Sequence, residues 1–409
     1  MFLAFYAVGS AIIFPVNVVP LWPVLCLVFA DLLGFGMIVV DLQFRAKDLG
    51  ASPTTIGVLL ATTFIVQAIC STFWGRLSDR RGRKPVILLC TMMSALAMLI
   101  YGFADSLPFL FASRIISGLG FANVAVAQAM ISNASEESLR LKAMGQISAT
   151  ISTGLILGAP MGGFLSKFGG SQAVGFTACA FSTLGAVVVW RFLPDIKAAG
   201  SPMAATVRKR FNLGLLQEFP GLWTLVLAVI FAWFCLSLLE GTFGQMIQAR
   251  LGYGPEEFGV IFGFESLLSI LVQTFAMTWL SGRIAERFLL PLSFLAQGIG
   301  IALFPIAGGM ATLFLASAIY APGSAVSQPA LNSLCSKLIP SERHGELFAL
   351  LQSARSVGFV VGPIIGGLLL KEHVQLPYFV AAFGCLVAAG LLIGGLNRVG
   401  RDQPTLSSP

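Results

Sequence analysis

Twelve apolar runs follow one another along this chain, at 21–43, 53–74, 85–105, 108–132, 143–165, 171–193, 219–242, 256–281, 288–308, 310–333, 345–370 and 376–396. Each is long enough to cross a bilayer core as a helix, which takes about 20 residues at ~1.5 Å per residue. In that solvent the backbone must satisfy its own hydrogen bonds, so the expected fold is all-α and polytopic. Composition agrees. Hydrophobic residues make up 56% and charged residues 11%, where a soluble domain carries about 25% charge. That is too little charge to cover a water-facing surface, which excludes a soluble enzyme, a nucleic-acid binder and a disordered chain. The 44 glycines and 34 phenylalanines suit helices packed closely in lipid. Six of the seven cysteines lie in apolar runs and Cys335 lies two residues past one, with none at CxxC spacing, and there are only two histidines, His344 and His373. With no zinc-hydrolase, Walker-type or GxSxG motif, neither a metal site nor ATP-driven pumping by this chain is expected.

The net charge of +7 would suit an anionic partner such as nucleic acid, but its placement points to topology. With the loop 75–84 in the cytoplasm (Arg76, Arg80, Arg81, Arg83, Lys84) and alternating sidedness, 18 of the 25 Lys and Arg are cytoplasmic. Five fall opposite (Arg45, Lys47, Lys167, Arg250, Lys371), and Arg114 and Arg355 fall inside runs. This is the positive-inside pattern of a multi-pass cell (inner) membrane protein with both termini cytoplasmic. Residues 1–20 are apolar and lack the positive n-region of a signal peptide. They read as an interfacial extension, or as sequence ahead of the true start, rather than as a thirteenth span broken by Pro15.

The chain repeats itself. Gly75-Arg76-Leu77-Ser78-Asp79-Arg80 is echoed 207 residues later by Gly282-Arg283-Ile284-Ala285-Glu286-Arg287. The glycine series Gly154, Gly158, Gly162 and Gly163 of the fifth run recurs 204 residues later as Gly358, Gly362, Gly366 and Gly367, accompanied by Pro160 and Pro363. Two chemically different motifs at nearly one offset indicate a duplicated six-span unit. The expected organisation is an N-terminal extension (1–20), a six-helix bundle (21–193), a cytoplasmic linker (194–218), a second bundle (219–396) and a tail (397–409). Pseudo-symmetric bundles with a midplane site are a common plan of secondary transporters.

The stretch Gly75 to Pro85 (GRLSDRRGRKP) resembles the signature loop between spans two and three of the major facilitator superfamily, with Arg81 in place of the usual aromatic residue. Arg114-x3-Gly118-x-Gly120 is similar to that superfamily's fourth-span motif. Gly154 to Gly163 is similar to the fifth-span motif of its drug/proton antiporters, with Ala159 interrupting the Gly-Pro pair. Ala30 to Gly36 resembles the first span of the tetracycline-efflux branch, which continues into a proline where this chain has Val39-Val40-Asp41. The resemblance covers about residues 21–396. It implies the twelve-span fold of two six-helix bundles, and a conformational latch formed by Gly75, Asp79, Arg80, Gly82 and Arg83 with its echo in Gly282, Glu286 and Arg287. It also implies that the two glycine-rich helices lie between the halves. The physical roles fit: glycines at i, i+4 and i+8 let backbones approach, and prolines favour a kink.

An ionisable side chain inside a span costs about 2.5–3.5 kcal/mol or more, so each is a candidate site. Five are taken as candidates: Asp31, Arg114, Glu240, Glu265 and Arg355. Several lie on polar stripes at helical spacing: Glu265, Ser269 and Gln273; Trp233, Ser237, Glu240, Gly244 and Gln248; Gln146, Thr150 and Gly154; Gln352, Arg355 and Ser356. Gln146, Glu240, Glu265, Gln273, Gln352 and Arg355 are thus expected to line the substrate cavity. Asp31 paired with Arg114, a pairing that resembles family antiporters, is expected to couple transport to protons. The expected function is proton-coupled export of a small amphipathic or drug-like compound by a monomer, powered by the proton gradient with no cofactor. A metabolite importer or facilitator, or a transporter-like protein for assembly, sensing or lipid handling, is the alternative.

Overall fold

The computed structural model describes residues 21–121, 123, 124, 126–128, 130, 137–194, 214–219, 221–276, 283–340 and 343–402. The N-terminal extension, most of the linker, Gly282 and the end of the tail lie outside the described residues, as do the side chains of Asp79 and Arg287. The described residues are helical and contain no strand. The elements are α1 (Trp22–Asp48), α2 (Pro53–Arg81), α3 (Arg83–Phe103), α4 (Leu107–Gly120), α5 (Glu137–Phe192) and a short α6 (Gly214–Glu218). They continue with α7 (Gly221–Leu251), α8 (Pro255–Leu271) running into a π-turn (Val272–Ala276), α9 (Glu286–Leu303), α10 (Met310–Lys337), α11 (His344–Glu372) and α12 (Leu376–Asp402).

Among the described residues ten helical stretches are long and apolar enough to span a membrane. One of these, Thr153–Phe192, is 40 residues long and is broken at Gly170 (φ 66°, ψ −178°), so it makes two passes. The shorter apolar helix Leu107–Gly120 occupies the fourth run. The twelve spans are therefore present, with the fifth and sixth written as the two arms of α5.

Boundaries differ from the sequence reading at the basic loop 75–84. Helix α2 runs through to Arg81 and α3 starts at Arg83, leaving Gly82 as the whole connection. Its φ of 93° lies in the left-handed region that glycine alone enters without strain, so one residue suffices for the reversal. Helix α1 likewise extends five residues past the predicted end at 43.

The chain divides into two compact units: Met1–Arg45 with Thr62–Ala204, and Ala46–Ala61 with Ala205–Pro409. In unit 1 the glycine face of α5 lies on α1. A Cβ on Gly154 would stand 3.0 Å from the Phe29 carbonyl, and one on Gly158 would meet the Leu33 carbonyl. Gly162 likewise abuts Met37. In unit 2 the matching face of α11 lies on α7: a Cβ on Gly358 or Gly362 would stand 2.6 Å from the carbonyl of Ile230 or Phe234 respectively. The first three glycines of each series thus seam the fifth helix of a bundle to its own first helix, close packing of the kind small residues allow in lipid, while Gly367 faces Pro53 of α2. Gly118 and Gly120 work similarly on α4, facing the Thr63 carbonyl of α2 and the Cys90–Ser94 turn of α3. The turn 46–61 belongs to unit 2, where Thr54 donates to the Gly367 carbonyl (3.4 Å) and Lys47 to Gln248 (2.9 Å).

Two cations close helix ends in unit 1. Lys84 donates to the Leu193 carbonyl at the end of α5, and Arg45 to the Tyr101, Gly102 and Ala104 carbonyls at the end of α3. A positive charge on these otherwise orphaned carbonyls complements the helix dipole.

Candidate functional site

Asp31 sits within α1, 1% exposed, and holds three neutral donors. Its Oδ1 accepts from Ser182 on α5 (2.7 Å), and its Oδ2 accepts from Asn123, in the helical residues after α4 (2.8 Å), and from Ser94 on α3 (3.3 Å). A buried carboxylate survives only where such donors replace its water. The amide of Asn123 is used on one side alone: its Oδ1 is buried with no hydrogen-bond partner.

Arg114 is not among the partners of Asp31, against the sequence expectation. Its guanidinium lies over the ring of Tyr101 (5.4 Å), its Nε donates to Ser113 (3.3 Å), and its Nη2 is buried without a partner. Depth explains the difference. Successive helices run antiparallel, so the end of α1 is level with the start of α4. Arg114 lies seven residues into α4, about 10 Å along the axis, whereas Asp31 lies about 25 Å from the end of α1. The acid at matching depth is Asp41, seven residues from that end.

Asp41 is 1% exposed and accepts from the hydroxyl groups of Tyr101 and Ser166. Tyr101 is the hub of this second cluster: its hydroxyl reaches Asp41, Arg114 covers its ring, and Arg45 also lies over the ring (4.9 Å) while binding its carbonyl (2.7 Å). Two cations on one buried aromatic ring are each held by the ring quadrupole. Sequence reasoning missed Asp41, Arg45 and Tyr101. The available signal was the uninterrupted helical pattern of the first run past residue 43, which carries Asp41 from two residues short of the expected end to seven residues inside the helix.

Unit 2 holds its own two clusters. Glu265 of α8 accepts from Ser317 of α10 (2.8 Å), and Glu240 of α7 is within electrostatic reach of Glu265. Tyr320 of α10 lies in the field of both carboxylates. Seven residues before Glu240, Trp233 donates from Nε1 to Gln328 (3.0 Å) and packs on Phe359 (4.7 Å). The guanidinium of Arg355 lies over the Trp233 ring (5.6 Å) and donates to Asn332 (2.9 Å). Of the predicted cavity residues, the structure thus brings Glu240 to Glu265 and Arg355 to the Trp233 stripe. Gln273 is exposed on the π-turn, Gln352 is exposed on α11, and Gln146 is half-buried in unit 1.

At the latch positions, Gly75 has open space around it, Arg80 is exposed, and Arg83 is 3% exposed at the start of α3. In the second copy, Glu286 is engaged inside its own unit by Ser333 (2.8 Å) and Lys337 (2.9 Å) of α10.

The family described as Major Facilitator Superfamily matches residues 24–254 and 225–407. Multidrug resistance protein 2 of Bacillus subtilis is 27% identical over 369 residues, 89% of this chain and 92% of that protein. Quinolone resistance protein NorA of Staphylococcus aureus is 25% identical over 364 residues, 87% and 90% of the two chains. Among solved structures, a mutant of the nucleoside transporter NupG superposes with a TM-score of 0.77 at 14% identity, covering 92% of this chain and 99% of that one. A bacterial homologue of the human lysosomal transporter Spinster gives 0.73 at 16% identity, covering 95% and 98%. These two likenesses carry the fold. Family match, twelve spans and duplicated motifs agree: this chain is a multi-pass membrane protein belonging to the Major Facilitator Superfamily.

Proposed function

We propose that this chain exports small amphipathic, drug-like compounds in exchange for protons, by alternating access in the cell membrane with both termini cytoplasmic. Direction and substrate class draw on the relatives, named for multidrug and quinolone resistance. Orientation draws on the 18-to-five bias of Lys and Arg. The observation that carries the coupling is Asp31, a carboxylate inside a span whose donors Ser94, Asn123 and Ser182 are all neutral. Such a group takes or gives a proton without breaking an ion pair. Competition between proton and substrate for one conformation then links the two fluxes. Arg114 supports this unit from the Tyr101 cluster, and Glu240 and Glu265 supply negative charge to the substrate face of unit 2. The Gly75–Arg83 segment holds one conformation, with Asp79 as its acid.

Proteoliposomes with an imposed pH gradient test the proposal. Wild-type protein is expected to accumulate a fluorescent amphipathic dye against its gradient. Asp31→Asn is expected to equilibrate the dye without concentrating it. Uphill accumulation by Asp31→Asn would sink the coupling role.

A further inference from the structure

Cys235 of α7 and Cys385 of α12 face each other inside unit 2, with their Sγ atoms 3.7 Å apart. Both are free thiols and both are fully buried. The two helices come this close because small residues line the seam. Gly384, next to Cys385, leaves the space that the Phe231 ring fills, one turn before Cys235 on α7. A Cβ on Gly298 of α9 would stand 3.0 Å from the Cys385 Cβ, so a third helix presses on the pair from behind. The carbonyl of Ala381 accepts from Cys235 (3.9 Å). The two cysteines are 150 residues apart in the chain, and no local spacing marks them.

Separation and surroundings select the chemistry. A disulfide holds its sulfurs about 2.03–2.05 Å apart, so oxidation would have to draw two packed helices together. One atom bonded to both sulfurs asks for less. With bonds of about 2.3 Å, as in zinc thiolates, an angle of about 95–110° sets the sulfurs about 3.4–3.8 Å apart, whereas a linear two-coordinate ion sets them about 4.6 Å apart. The pair therefore matches a bent, pyramidal centre. That centre has to be neutral: Leu238, Leu239, Ala381 and Ala382, one turn from the two cysteines, are buried and apolar, and would not solvate an ion. We propose that Cys235 and Cys385 form a dithiol site for trivalent organoarsenicals, whatever compound the protein exports. An arylarsenous acid, with two hydroxyl groups on arsenic, would release both as water, each taking the proton of one thiol. Two S–H and two As–O bonds break, two As–S and two O–H bonds form, and arsenic stays trivalent. The product carries no charge, and its aryl group suits an apolar seam. Phe383 and Leu386, beside Cys385 on α12, are exposed, which gives a reagent dissolved in lipid its route. Once bridged, α12 would be tied to α7, the helix that carries Trp233 and Glu240.

Phenylarsine oxide, which hydrates to such an acid, makes the test. Purified full-length protein in detergent micelles is treated with an equimolar amount, challenged with excess mercaptoethanol, and weighed intact by mass spectrometry. The wild type is expected to keep one phenylarsenic unit in place of two hydrogens, because a monothiol cannot match the effective concentration of two adjacent thiols. Dimercaprol, itself a dithiol, should strip it. Cys235→Ser and Cys385→Ser should each lower retention at least about tenfold, while Cys335→Ser, in the same unit, should leave it unchanged. X-ray absorption at the arsenic edge should count two sulfur neighbours. Folded wild type that keeps no adduct through the mercaptoethanol challenge overturns the proposal, and that result requires no variant to fold. Full retention in either Cys235→Ser or Cys385→Ser, a single sulfur neighbour, or an adduct that forms only on unfolded protein overturns it as well.

Discussion

Removing the Tyr101 hydroxyl is the most direct probe of the second polar cluster. Tyr101→Phe keeps the ring under Arg45 and Arg114, so both cation–ring contacts remain. What it deletes is one donor to Asp41, a carboxylate 1% exposed whose other hydroxyl donor is Ser166. A hydrogen bond to a buried charge contributes about 1.5–3 kcal/mol, while neutral hydrogen bonds between membrane helices average about 0.6 kcal/mol. The ionised acceptor puts the expected loss near 2 kcal/mol. Asp41→Asn removes the charge and should cost a similar amount. If the hydroxyl acts through the carboxylate, the double variant should fall short of additivity by at least about 1 kcal/mol. The assay is reversible unfolding in mixed micelles titrated with sodium dodecyl sulfate, applied to wild type, both single variants and the double variant. A coupling energy below about 0.5 kcal/mol would refute the reasoning.

The glycine seam makes a sharper contrast. Gly362→Ala puts a Cβ 2.6 Å from the Phe234 carbonyl and should cost more than about 2 kcal/mol, or prevent folding, whereas Gly394→Ala meets nothing within 4 Å and should be neutral by the same unfolding assay. Gly82→Ala forces a side chain into φ 93° and should destabilise by about 1–2 kcal/mol, read in the same titration. Asn123→Leu withdraws a donor from Asp31 and should lower proton-driven accumulation more than substrate binding, whereas Asn123→Ser should retain part of both; equal loss in the two assays would place Asn123 in packing alone.

Much of the architecture is legible in the residues because lipid leaves few solutions: long apolar runs become helices, and an ionisable residue within one is conspicuous. Asp31, Arg114, Glu265 and Arg355 stand out on that ground alone. Their partners do not. Asp41 is followed by Arg45, Lys47 and Asp48, a charge density that reads as loop. The helix persists there because Arg45 finds carbonyl groups 56 to 59 residues away and Asp41 finds hydroxyl groups 60 and 125 residues away. Nothing local announces those contacts. The pairing of Asp31 with Arg114 failed for a related reason: opposite charges on two helices of one bundle suggest a bridge, but only depth along the axes decides whether they meet. The glycine series were found as helix-packing faces, yet which helix fills them is a matter of tertiary placement. For the first three glycines of each series it is the bundle's own first helix, whereas Gly367 meets Pro53 of α2.

Gly82 has a mechanical consequence. Helix α2 contains 29 residues and is therefore a rod of about 43 Å, joined to α3 through one residue. With α3 held, a turn of about ten degrees in the glycine's torsions would sweep the far tip of that rod through about 7 Å, by simple leverage on its length. No helical hydrogen bond has to open for that swing, since the pivot already lies outside both ladders. Circular dichroism would stay flat through such a stroke, while a pair of spin labels, one at each end of α2's travel, would record it in full.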